Sequence, residues 1–224
     1  DSGADYAAIG EGERTMIQLA SGIPPAQVDG LAYWENGKAV QSKQSDNMIG
    51  NTESGKTTFL MKKDVYTMQI GNLKRDFQMD IDNFGQPDWS AIDPRTYPIA
   101  PAGMIANAHP LAPIITTRGC PYSCTYCSAP ITAGKRMRYR DPKNVVDEIE
   151  MLVNDYGVKE IQIEDDNFTL SRKHCMTICE EILKRGIKVI LSLPNGVRID
   201  KLDKEMLLLL KKAGFVSMSL GIES

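Results

Sequence analysis

From residue 111 onward, strand-like and helix-like segments alternate without a break, and this alternation constrains the fold more than any other feature of the chain. "APIITTRG" reads as a strand. "NVVDEIEMLVNDY" carries helical apolar periodicity, with Asp141 as N-cap, Pro142 at the first helical position and Gly157 as the stop. Next come the strand "KEIQIEDD", the helix "RKHCMTICEEILKR" between Ser171 and Gly186, and the strand "IKVILSLP". The helix "KEMLLLLKKAG" and the strand "FVSMSLGI" complete the series. Repeated βα units at this spacing imply a parallel sheet with helices packed on it. A doubly wound sheet and a barrel both satisfy the pattern, and both place functional residues at the carboxyl ends of the strands.

Polar, liganding residue types do gather there. The loop "TTRGCPYSCTYCSAP" (116–130) follows the first strand, "EDDN" (164–167) the second, "PNGVR" (194–198) the third and "ES" (223–224) the fourth. The first loop holds three cysteines, Cys120, Cys124 and Cys127, where tetrahedral metal sites and cubane clusters normally take four protein ligands. Thiolates select zinc, copper(I) or iron–sulfur clusters. Structural zinc needs further ligands, and the remaining candidates are His109, His174, Cys175 and Cys179. Cys175 and Cys179 share one face of a helix, where free cysteines are expected in the core. A cubane cluster on three cysteines leaves one iron open to another ligand, which turns an electron carrier into a catalytic centre.

The C-x3-C-x2-C spacing, Tyr126 just before the last cysteine, and the place of the loop after the first strand of a βα series resemble the radical S-adenosylmethionine (SAM) superfamily. The resemblance covers about 112–224 and implies an incomplete partial (βα)6, TIM-like barrel. It implies a [4Fe–4S] cluster on Cys120, Cys124 and Cys127, with the open iron chelating SAM. Reductive cleavage of SAM then gives a 5′-deoxyadenosyl radical that abstracts hydrogen from substrate. The family follows its second strand with a glycine-rich segment ending in an acid for the SAM amino group. Here that segment reads "IEDDNFT", without glycine, so Glu164, Asp165 and Asp166 are all candidates. Asn195 and Arg198 resemble residues that meet the ribose and carboxylate of SAM. Tyr126 and Glu223 join the implied SAM contacts. The basic run "KRMRYR" (135–140) braces the cluster loop, neutralises its charge, or forms a solvated face.

Residues 1–41 contain a short apolar run, "DYAAI", a "GEGE" turn, a helical pattern, and "GLAYWENGKAV", where Asn36-Gly37 between alternating apolar residues signals a β-hairpin. Followed by the cysteine loop, this is similar to cobalamin-binding radical SAM proteins, and implies a remnant of a Rossmann-like cobalamin domain. That family's histidine-containing cobalamin loop is not in this sequence. Glu11 and Glu13 read as helix-opening carboxylates. Residues 42–110 read as a linker with an insertion, ending in a proline-rich connector, and 111–224 as the first part of the radical SAM barrel.

The implied chemistry is cobalamin-dependent methyl transfer or a radical rearrangement or cyclisation, on a small-molecule substrate, with a flavodoxin or ferredoxin as reductant. Radical SAM methylthiotransferases that modify tRNA share the "CTYC" loop, but they carry three more cysteines upstream, and residues 1–119 contain none. A non-catalytic iron–sulfur or zinc module is a further alternative. "GNTESGKT" (50–57) satisfies the P-loop pattern, but a polar stretch precedes it where a buried strand is needed, so it reads as a decoy. A net charge of −3 gives no field favouring nucleic acid, and no apolar run is long enough to span a bilayer. Five cysteines, three of them clustered, suit a reducing cytoplasmic setting better than a disulfide framework. Both ends read as cut, so a fragment of a longer protein is expected.

Overall fold

The computed structural model describes residues 6–8, 11–28, 30–35, 38–42, 55–61, 64–70, 77, 79–98 and 106–222. The chain divides into two units, Asp1–Gln78 with Ile131–Ala133, and Met79–Pro130 with Gly134–Ser224. The division falls inside the stretch expected as a linker.

In the first unit, β1 (Tyr6–Ala8) leads to helix α1 (Glu13–Ala20), and β2 (Leu31–Glu35) and β3 (Lys38–Gln41) follow. β1 and β3 flank β2, both antiparallel to it. The β2–β3 register closes at Glu35 opposite Lys38, a two-residue connection where the sequence reads Asn-Gly. The turn residues themselves lie outside the described set. Val28, Leu31 and Tyr33 form a small core with Leu19, Ile23 and Val40 against it. The parallel βα pattern of a Rossmann-like unit is not present among these described residues.

The linker segment contains an unexpected hairpin, β4 (Gly55–Met61) with β5 (Asp64–Ile70), antiparallel and closing at Met61 opposite Asp64. Its strands are rich in β-branched and aromatic residues, which favour extended backbone. No Gly, Asn or Pro marks its turn, and that concealed it. Gly55, Lys56 and Thr57 lie in β4, whereas a P-loop opens a helix at that point. The decoy interpretation of the P-loop pattern therefore holds; residues 50–54 lie outside the described set.

In the second unit, two 3-10 turns, Ile81–Phe84 and Pro94–Thr96, precede β6 (Leu111–Ile114). Then come β7 (Thr117–Arg118), the four-residue α2 (Ala129–Thr132), whose last two residues are grouped with the first unit, β8 (Arg138–Tyr139) and α3 (Pro142–Tyr156). β9 (Glu160–Ile163), α4 (Arg172–Arg185), β10 (Ile190–Arg198), α5 (Lys204–Ala213) and β11 (Phe215–Gly221) complete it. β6, β9, β10 and β11 form one sheet, all parallel, in their order along the chain. A doubly wound sheet reverses direction at a switch point. This one does not, and right-handed crossovers then place every connecting helix on one face, as in a barrel. α4 packs between α3 and α5, as that arrangement requires.

Local sequence sets the helix ends. Asp141, Ser171 and Asp203 accept N–H bonds from Lys143, His174 and Met206, and Gly157, Gly186 and Gly214 close the three helices. Each cap contributes about 1 kcal/mol, whereas burying one large aliphatic side chain contributes about 1.5–3 kcal/mol. The apolar face therefore decides the packing. Ile161 and Ile163 of β9 bury against Val145, Ile149 and Leu152 of α3 and Ile178 of α4. Cys175 and Cys179 are fully buried in the same core, as their helical spacing implied.

The other face of β9 presents Glu160 and Gln162, also buried. Glu160, at the amino end of the strand, accepts the N–H groups of Asn107 (2.5 Å) and Ala108 (2.9 Å) and the Ser192 hydroxyl (2.8 Å). Burial pushes its pKa up, but these bonds outweigh burial and hold it below the ordinary value. This cluster fills the inner face at the end of the sheet opposite the cysteine loop.

Candidate cofactor site

The cysteine loop is clamped at its base. β7 pairs antiparallel with β8, Thr117 opposite Tyr139 and Arg118 opposite Arg138, so residues 119–137 leave and return through one ribbon. Cys120 N–H donates to the Gly134 carbonyl at 3.0 Å, just inside the ribbon. Gly119, with φ +95°, permits this approach, since a Cβ there would lie 2.4 Å from the Arg136 carbonyl oxygen. Within the loop, Cys127 N–H donates to the Cys124 carbonyl at 3.1 Å. Ala129 N–H points at Cys127 Sγ at 3.4 Å. Cys120 and Cys124 are half-buried and Cys127 is exposed. Tyr126 stands 76% exposed beside Cys127.

The three acids after β9 have separate environments. Asp165 is buried and turned under the loop. Its Oδ1 accepts the Thr116 and Thr117 N–H groups at 2.6 and 3.0 Å, and its Oδ2 accepts their hydroxyls at 2.5 and 2.9 Å. Burial raises its pKa to about 6 despite these four donors. Glu164 is half-buried, and burial and the neighbouring Asp165 raise its pKa. Asp166 is exposed, and partial desolvation by the surrounding atoms raises its pKa as well.

β10 runs further than expected, through Arg198, because a register irregularity between Leu193 and Val197 absorbs Pro194, Asn195 and Gly196 without ending the strand. Asn195 and Arg198 therefore lie in its carboxyl half. Asn195 Nδ2 donates to the Glu164 carbonyl at 2.9 Å. The Arg198 guanidinium lies 4.2 Å over the Tyr122 ring, in the cysteine loop, and its Nε donates to Asp200 at 2.9 Å.

These contacts bring three strand ends together. Burial raises the Cys120 thiol pKa, and the charges of Asp166, Cys127 and Cys124 add to that. Arg198 feels Cys124 across the loop. Glu223 lies outside the described residues. Among the described residues, no three His, Cys, Asp or Glu side chains already enclose a metal position. The donor set nonetheless suits an iron–sulfur cluster: three soft sulfurs on one clamped loop, with an N–H already directed at one of them. Neither histidine joins them as a fourth ligand. His109 precedes β6, at the opposite end of the sheet, with Nε2 3.1 Å from the Tyr97 carbonyl. His174 is buried beneath the ribbon with its ring 5.1 Å from that of Tyr139.

Sequence reasoning missed Thr116, Thr117 and Tyr122. The available signal was a pair of hydroxyl residues between an apolar strand and the glycine before the first cysteine. Within the basic run, geometry assigns a role to Arg140. Arg140 N–H donates to the Thr116 carbonyl (3.0 Å) and its Nη1 to the Ile115 carbonyl (2.9 Å), so it braces the loop.

Comparison with known proteins agrees with this geometry. Residues 114–224 match the Radical SAM superfamily. The anaerobic magnesium-protoporphyrin IX monomethyl ester cyclase of Cereibacter sphaeroides is 40% identical over 147 residues, 65% of this chain and 23% of that protein. The cytidylyl-2-hydroxyethylphosphonate methyltransferase of Streptomyces wedmorensis is 25% identical over 235 residues, 100% of this chain and 41% of that protein. Among solved structures, the radical SAM methyltransferase TsrM of Kitasatospora setae, with cobalamin and a [4Fe–4S] cluster bound, superposes with a TM-score of 0.62. It is 21% identical, over 98% of this chain and 38% of TsrM. The chain thus spans well under half the length of these relatives. With its sheet order, cysteine loop and matched region in agreement, the chain from residue 114 onward belongs to the radical SAM superfamily.

Proposed function

We propose that this chain is the cluster- and SAM-binding part of a cobalamin-dependent radical SAM enzyme, acting by methyl transfer or radical rearrangement on a small molecule. The observation that carries this is the clamped three-cysteine loop, with Arg198 at the end of β10 stacked on its Tyr122 ring and Asp166 in the loop that follows β9. Cys120, Cys124 and Cys127 would hold a [4Fe–4S] cluster, whose chemistry when bound is the one-electron reductive cleavage of SAM.

The remaining work falls to the chain's own residues. Asp165 has its oxygens engaged by Thr116 and Thr117, which leaves Glu164 and Asp166 as the carboxylates for the SAM ammonium. Their raised pKa values favour this, because a cation placed beside them recovers the interaction that desolvation removed. Asn195 and Arg198 are assigned to the ribose and carboxylate of SAM. Tyr126, exposed on the loop, and Glu223 complete the contact set. The cobalamin assignment is supported by the cobalamin-bound structure that the chain resembles over 98% of its length. A cytoplasmic setting and a flavodoxin- or ferredoxin-type reductant follow from the same chemistry. Among the described residues no helix is long and apolar enough to cross a membrane.

The test is anaerobic reconstitution with iron and sulfide, followed by assay of 5′-deoxyadenosine from SAM and dithionite. The wild-type chain should form it and the Cys124→Ala chain should not. Zinc in place of iron, or equal product from both chains, would remove the enzyme assignment. Cobalamin retained through gel filtration, read by its visible absorbance, tests the second cofactor separately.

A further inference from the structure

The segment 79–97, within the stretch expected as a linker ending in a proline-rich connector, is packed along the base of the cysteine loop. Asp82 Oδ2 accepts the Asp141 N–H at 2.6 Å, and its Oδ1 lies 3.8 Å from Arg140 Nε. The Arg118 guanidinium, on β7, sits 5.1 Å over the Phe84 ring. Trp89, buried in the main core, donates its Nε1–H to Glu148 Oε1 at 2.9 Å. Glu148 is itself fully buried on α3, and its other oxygen accepts from Arg140 Nη1 at 2.5 Å.

Arg140 is the node of this network. It follows β8 directly; its guanidinium Nη1 donates to the Ile115 carbonyl ahead of β7, and its backbone N–H donates to the Thr116 carbonyl beside it. A buried ion pair adds little net stability compared with well-packed apolar residues. What a guanidinium adds is direction, because its planar fork fixes the groups around it. Here those groups are the two strands from which the cysteine loop hangs, and the buried Glu148 with Trp89 fixes the fork in turn.

We propose that Asp82, Trp89, Arg140 and Glu148 are positioning residues for the cysteine loop. They touch neither cluster nor SAM. They set how β7 and β8 cross, and so where the three thiols point. Only the spectroscopic readout below rests on the proposed function; the exchange readout does not.

The experiment is hydrogen exchange on the full chain without metal, comparing wild type with Asp82→Ala and Arg140→Lys. Asp82 is only partly buried, so its loss should leave the fold intact. Arg140→Lys keeps the charge and loses the fork. Cys120 and Arg140 each donate an amide bond across or beside the ribbon. Those amides should exchange about tenfold faster in both variants, the factor for one charge-assisted bond. Amides of β9 should hold their protection. Unchanged ribbon exchange in both variants, or equal loss in ribbon and β9, would overturn the proposal; the second pattern means a role in global stability alone.

After iron–sulfur reconstitution, the variants should show a SAM-induced change in the EPR signal several-fold smaller than wild type. A loosened ribbon with an undiminished SAM response also overturns the proposal. If the ribbon loosens but the wild-type chain takes up no iron, the positioning network stands and the cluster assignment falls.

Discussion

Replacing Asp165 separates a structural carboxylate from a SAM ligand. In the native chain it accepts two backbone N–H groups and two hydroxyls from Thr116 and Thr117, both buried. Asp165→Ala leaves the two N–H groups without acceptors. At about 1–3 kcal/mol for each orphaned buried donor, the loss should be about 2–6 kcal/mol. That is a large fraction of the ~5–15 kcal/mol total stability of a domain. Asp165→Asn keeps an oxygen toward the N–H pair, and the threonine hydroxyls can rotate to accept from its amide. It also removes a carboxylate whose pKa burial has raised from 3.8 to about 6. That net rise already counts the four hydrogen bonds, so a neutral side chain is relieved of about 3 kcal/mol at neutral pH, which covers the less ideal geometry of an amide. Asparagine should therefore be at least as stable as wild type, to within about 1 kcal/mol. Urea unfolding followed by circular dichroism measures both, and bound iron per chain reports the loop. An alanine variant as stable as wild type would refute the bonding account. An asparagine variant as damaged as alanine would show that charge, not hydrogen-bond count, holds the loop.

Other consequences are equally direct. Gly119→Ala should abolish iron uptake, because the added Cβ would lie 2.4 Å from a backbone carbonyl at positive φ; normal iron content would contradict the loop geometry. Burial holds His174 at about 4, so between about 4 and 6.5 the unfolded chain binds more protons and this residue's contribution is lost on acidification. Asp165 acts oppositely between about 4 and 6, where the folded state binds the extra proton. Asp165→Asn should thus expose a steeper loss of stability on acidification from pH ~6 to ~4, at most about 1.4 kcal/mol per pH unit, and His174→Gln should flatten it. The urea midpoint against pH tests this, and identical profiles in all three proteins would count against it. Arg185 bridges Asp147 and Glu150 of α3 and Glu181 of its own helix, and it is only partly buried. Arg185→Ala should cost about 1 kcal/mol, less in high salt, without altering iron content.

Features fixed by near neighbours were legible in the chain. The caps Asp141 and Ser171 act within three residues of themselves, and the stops Gly157 and Gly186 act within one turn. The cysteine loop was legible because its three cysteines are close in sequence. Asp165 reads the same as Glu164 and Asp166 in the sequence, because nothing local distinguishes three consecutive acids. Its partners lie 48 and 49 residues away, and only the fold turns it beneath the loop. Trp89 was hidden for the same reason: its polar partner is 59 residues distant. The β4–β5 hairpin escaped because its connection lacks turn residues. β10 was cut short because Pro194, Asn195 and Gly196 read as a stop, although an irregular strand can absorb them.

The central claim is that three cysteines leave one iron open for SAM. Electron paramagnetic resonance of the anaerobically reconstituted, reduced chain, recorded without and with SAM, tests it most directly. A [4Fe–4S] signal whose g-values shift on adding SAM is the predicted result. A cluster signal unaffected by saturating SAM, or no cluster signal from a folded chain, would contradict it.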